Sequence, residues 1–149
     1  MEPLLLSVHV VAGILFVGGS AIATSLFPRY VPVTGEDVSQ ERSRAVAAAL
    51  HRITRGYSIA GLIVPAAGIV LAFVQGRTGE FWVVLAMILT AAAGFLLAVQ
   101  IYPRQRDALA TPGARDRLRS LSMFAGIYNV LWTVVVVLMI VRPGAAEGA

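Results

Sequence analysis

The sequence predicts an all-α fold, a four-transmembrane-helix bundle forming a single integral membrane domain over residues 1–149. Three observations predict it. Four apolar stretches, Leu4–Phe27, Tyr57–Val74, Phe81–Ile101 and Leu121–Val141, each run 18 residues or more without Asp, Glu, Lys or Arg. A helix needs roughly 20 such residues to cross a hydrocarbon core of about 30 Å. Hydrophobic residues make up 58% of the chain and charged residues 13%, with a mean hydropathy of +0.79. Soluble domains carry about 25% charged residues.

The third observation is where the charge lies. All 12 cationic residues are arginine. Arg29, Arg42, Arg44, Arg52 and Arg55 fall between spans one and two, and Arg104, Arg106, Arg115, Arg117 and Arg119 between spans three and four. Only Arg77 and Arg142 fall elsewhere. This asymmetry is the positive-inside pattern, which places both long loops in the cytoplasm and both termini outside. The sequence pI near 10.3 is therefore read as an insertion signal, with contact to anionic headgroups as a second role, and not as nucleic-acid binding. With no cysteine in the chain, disulfides, thiolate metal sites and thiol catalysis are excluded.

The elements follow in order, as helices over about 4–27, 40–74, 81–101 and 112–141. Span one has no cation before its apolar run, so it reads as a retained helix and not a cleaved leader. Phe27-Pro28-Arg29 marks its exit. Pro32 and Gly35 then make a turn, and Asp37 or Ser39 caps a helix running from about Gln40 into span two. Val46, Leu50, Ile53 and Tyr57 recur there at helical spacing, either along the interface or as a cytoplasmic extension of the span. Pro65 in span two predicts a kink. The short connection Gln75–Glu80 predicts that spans two and three are antiparallel neighbours. Tyr102-Pro103-Arg104 ends span three, and Thr111-Pro112 fits the start of the last helix. The two Pro-Arg exits lie 75 residues apart. With Ala60-Gly61 and Ala125-Gly126 at matching depths, they hint at two repeated helical hairpins.

Few side chains inside the spans carry chemistry. His9 lies ~7 Å below the outer end of span one by helix rise. An ionisable group at that depth faces the bundle interior or a cavity. It either hydrogen-bonds a neighbouring helix or ligates haem iron or copper. His51 lies roughly 25 Å away in depth by the same rise, so one metal or haem cannot hold both. His9, Met87 and Met139 fall in the outer third of their spans, and imidazole with thioether suits Cu(I). Gly13, Gly18, Gly19 and Ala91–Gly94 give thin surfaces for close helix approach. Asn129, mid-span, needs an interhelical partner. Arg29 and Arg104 anchor helix ends, and Trp82, Tyr102 and Tyr30 suit the interfacial belt.

The run from His9 through Phe16, Gly18 and Gly19 to Leu26-Phe27-Pro28-Arg29 resembles the opening helix of the copper-resistance D-like superfamily of small bacterial membrane proteins. Arg52 to Gly68, with Pro65-x-x-Gly68, resembles its second helix, and Tyr102-Pro103-Arg104 the exit of its third. The resemblance is nearest to four-helix members of unknown function, with a distant likeness to the membrane protoporphyrinogen oxidase. It implies a bacterial inner membrane. It also implies haem b or copper as the groups to test, with His9 as ligand. The chain departs from the oxidase in having no histidine just after Pro28-Arg29 and no tryptophan before Gly18. The expectation is a non-enzymatic scaffold or partner subunit without a cofactor, associating with itself or with another membrane protein. Haem-dependent redox chemistry through His9, and copper handling through His9, Met87 and Met139, are the alternatives.

Overall fold

The computed structural model describes residues 2–33, 42–111 and 115–144. Within them the chain forms α1 (Glu2–Tyr30), α2 (Arg44–Ala60), α3 (Ile63–Val74), α4 (Phe81–Phe95), a π-helical segment (Leu96–Ile101), α5 (Tyr102–Ala110) and α6 (Arg115–Val141). Four continuous helical stretches are long and apolar enough to cross a membrane: Pro3–Tyr30, Arg44–Val74, Phe81–Ala110 and Asp116–Val141. The protein is an all-α bundle of four such spans, and its outward surface is built from apolar side chains such as Leu4, Ile14, Phe73 and Ile140. These features make it a multi-pass membrane protein.

Prolines shape three of the spans, each differently. Pro65 has no N–H for the carbonyl four residues back, and there, at Gly61-Leu62, α2 breaks from α3. Gly61 N and Leu62 N turn back onto the Tyr57 and Ile59 carbonyls before α3 resumes. Pro28 does not stop span one as its sequence context predicts, because the helix continues to Tyr30. Span three also runs past its predicted exit. The π segment ends next to Tyr102-Pro103, and α5 extends the helix to Ala110. Widening the coil to an i→i+5 pattern accommodates a proline that α-geometry would clash with. The extra residue also turns all that follows by about 100°, which brings Gln105 into the core at 0% exposure.

The predicted caps Asp37 and Ser39, and Pro112, lie outside the described residues. The second span begins at Arg44, not near residue 40. Its cap is Ser43, whose hydroxyl accepts from Val46 N at 3.4 Å. The amphipathic segment α2 extends span two and does not run as a separate surface helix. Thr111 closes α5, with its N–H on the Asp107 carbonyl.

Packing orders the spans as a ring that is tight on three sides. Span one packs on spans two and four, and span four packs on span three. Ser20 Oγ and the Tyr128 hydroxyl share a hydrogen bond of 2.7 Å, and Asn129 Nδ2 donates to Ser25 Oγ at 2.9 Å. Both tie α1 to α6. The fourth side is different. Spans two and three, consecutive in sequence, meet well only where α2 touches α5, at the arginine-rich end. Above that contact α3 and α4 separate, and they meet again beside their connection, where Ala72 packs on Trp82 and Val83.

Candidate functional site

The divergence of α3 from α4 opens a crevice of about 450 Å³ in the middle of the bundle. Each wall is set by a local irregularity. On one side stand Gly61, Leu62 and Pro65, the proline break, and on the other Leu97 and Ala98 of the π segment. Irregular backbone at membrane depth is tolerated where it lines a cavity, and here both irregular segments of the spans face the same one. The crevice is mainly apolar, and Thr90, Gly94 and Met87 complete the α4 wall.

Its floor is aromatic and carries the polar groups. Phe16 and Tyr57 meet edge-on with centroids 5.6 Å apart. Tyr57 needs Gly19 beneath it, since a Cβ there would run into the phenol ring. Tyr128, 2% exposed, holds Ser20 and meets Trp132 edge-on at 6.3 Å. The Trp132 Nε1–H is buried beside the Tyr128 hydroxyl. An indole N–H is a donor only, so its burial calls for an acceptor such as that hydroxyl. The indole ring lines the crevice while its N–H is enclosed beside the Tyr128 hydroxyl. Apart from Tyr57 and Tyr128, no lining side chain is ionisable.

The residues singled out in the sequence are dispersed. His9 lies on α1 against α3, where a Cβ on Gly68 would come within 3.0 Å of its Cε1. Gly68 is thus the place where the imidazole passes close to a backbone. His9 Nδ1 is buried and unpartnered, and its other polar neighbour is the Val64 backbone. His9 lines neither this crevice nor the cavity at the arginine-rich end. Met87 lines the crevice, while Met139 packs on Ala72, Trp82 and Val83. His51 is held at the far end by Gln105 Oε1 at 3.2 Å and by stacking on Tyr102 at 4.9 Å. The structure gives His9, Met87 and Met139 different neighbours, Gly68, the crevice and the Ala72–Trp82–Val83 cluster, and holds His51 apart with Gln105 and Tyr102. Among the described residues no group of three His, Cys, Asp or Glu side chains could hold a metal ion.

Of the small residues, Gly19 makes the close approach, whereas a Cβ on Gly13, Gly18 or Gly94 would meet nothing within 4 Å. Arg29 is exposed at the end of α1. Arg104 does more than anchor its helix, since it covers the Phe124 ring at 4.6 Å. Trp82 sits at the start of α4. It is 8% exposed, donates Nε1 to the Glu80 carboxylate and lies under Arg142 at 5.7 Å.

Sequence reasoning passed over Tyr57, Tyr128, Trp132 and Gln105. The available signal was the run of polar-tipped aromatics inside apolar spans, each needing a partner for its O–H or N–H. No protein family profile, curated protein or solved structure matches this chain, so its function must be argued from this geometry.

Proposed function

We propose that this protein is a non-enzymatic membrane subunit that binds a lipophilic molecule in the crevice between its second and third spans. The observation that supports the reading is the crevice itself: a mainly apolar pocket of about 450 Å³ lined by the rings of Phe16, Tyr57, Tyr128 and Trp132. Ligand sites of this kind are mostly apolar, with a few placed polar groups that set orientation. The sparse contact between α3 and α4 lets an apolar tail pass into the bilayer. The two tyrosines are the only ionisable groups in the lining, so the site is furnished for holding a molecule and lacks a carboxylate or imidazole to transfer a proton.

The chain's two tryptophans make the test direct. A Trp82→Phe variant leaves Trp132 as sole indole, and a brominated fatty acid quenches an indole only at short range. The expected result is saturable quenching of Trp132 that disappears in Gly94→Phe, where the new ring fills the crevice. The converse variant, Trp132→Phe, should show no saturable quenching of Trp82. Quenching that does not saturate, or that ignores Gly94→Phe, would contradict the proposal.

A further inference from the structure

A second cavity, of about 410 Å³, lies at the arginine-rich end between α5 and α6. Its rim carries Arg104 and Arg117, and its lower wall is Pro103, Leu118 and the buried Leu121. The cavity is therefore cationic at the top and apolar beneath, at the level where spans three and four emerge.

Arg104 is already oriented. Its guanidinium covers the Phe124 ring at 4.6 Å, and Nη1 donates both to the Gln100 carbonyl at 3.1 Å and to the Gln100 side-chain oxygen. Both fixing bonds use Nη1, which leaves the Nε–Nη2 edge to grip an oxyanion in a fork. The one carboxylate in the lining, Asp107, lies 3.5 Å from the Arg106 guanidinium. The surrounding charge has the same sign. The two loop regions carry ten arginines against Glu36, Asp37, Glu41, Asp107 and Asp116, whereas the other end carries Arg77 and Arg142 against Glu2, Glu80 and Glu147.

We infer that this cavity is a binding site for the phosphate-bearing headgroup of an anionic phospholipid, held by Arg104 and Arg117 with its glycerol backbone against Leu118 and Leu121. An anion with no apolar part would leave that lower wall unused. Basic pockets between transmembrane helices take such headgroups when an apolar wall continues below them. The inference is independent of the crevice, which lies deeper and shares no lining residue with this cavity.

The test uses the full chain in detergent and native mass spectrometry with phosphatidylglycerol, phosphatidylcholine or inorganic phosphate added. The wild-type protein should retain phosphatidylglycerol over phosphatidylcholine. The double variant Arg104→Gln/Arg117→Gln should lose about 30-fold in that preference, the factor expected of two arginines near an anionic surface. A charge-matched control, Arg52→Gln/Arg55→Gln on the exposed face of α2, should lose less than about threefold, since those side chains lie off the cavity. Arg117→Gln alone keeps the Arg104 contacts with Gln100 and Phe124 and should lose part of the preference without disturbing the helix. Equal losses in the control pair, no preference in the wild type, or displacement of the lipid by inorganic phosphate at equal concentration would each overturn the proposal.

Discussion

The two ends of span one are built differently. From Pro3 to Gly19 no side chain of α1 is fully buried, whereas Ser20, Ala23, Thr24 and Phe27 are all at 1% exposure or less. The same gradient runs through the bundle. Phe27, Val31, Ala47, Leu50, Leu97, Ile101 and Leu121 form one continuous core toward the arginine-rich end. Among the described residues the other end has a smaller cluster, Ala72, Trp82 and Val83 with Met139 beside it. The bundle is packed more extensively at one end than at the other, and the crevice lies between the two clusters. In a bilayer this costs little, because an apolar side chain gains nothing by leaving lipid for protein beyond packing and hydrogen bonds. The crevice can remain open at a depth where a soluble protein would have to close.

The strongest way to break this contrast is to truncate one residue at each end. Phe27→Ala removes a ring at 0% exposure and should destabilise the protein by about 3–5 kcal/mol. Ile14→Ala, at 68% exposure, should cost under about 0.5 kcal/mol. Unfolding in mixed micelles measures both, and equal losses would show that the two ends are packed alike. A smaller effect comes from the glycine pair. Gly19→Leu drives a side chain into the Tyr57 ring and should cost about 1–3 kcal/mol. Gly18→Leu, where a Cβ meets nothing within 4 Å, should stay within about 0.5 kcal/mol of wild type.

Smaller again is the latch between α2 and α5. His51→Ala removes the Gln105 hydrogen bond and the Tyr102 stack and should cost about 0.5–1.5 kcal/mol. It should also widen the distribution of distances between spin labels on α3 and α4. A chain without cysteine lets such labels be placed singly, and an unchanged distribution would detach the latch from the crevice. The smallest is the tie from α1 to α6. A double-mutant cycle on Ser25 and Asn129 should return a coupling of about 0.6 kcal/mol, the usual size of a hydrogen bond between membrane helices.

Much of this architecture is legible in the sequence because membrane spans are dictated by length and apolarity. The break near Pro65 was also legible, since a missing donor is a local fact. Pro28 and Pro103 carry the same signal yet do not end their helices, and nothing local distinguishes them from Pro65. Whether a proline stops a helix, breaks it or widens it depends on which neighbour packs against it. Gln105 shows the consequence. Its position follows a π segment that no periodicity announces, so an amide just past the expected end of span three is fully buried. The crevice is less legible still. Phe16, Tyr57, Thr90, Gly94, Tyr128 and Trp132 come from four different spans and converge only through the order in which those spans pack. His9, the residue that stands out most in the sequence, lies against Gly68 outside the crevice.

The crevice and its occupant are the centre of the account, and native mass spectrometry of the protein extracted directly from its own membranes tests them most directly. The wild-type protein should carry a lipophilic molecule that survives gentle desolvation. Gly94→Trp should lose it while keeping its fold, since a Cβ at that position meets nothing within 4 Å and the indole can enter the crevice. A wild-type protein that carries no such molecule, or a Gly94→Trp variant that carries it equally, would contradict the account.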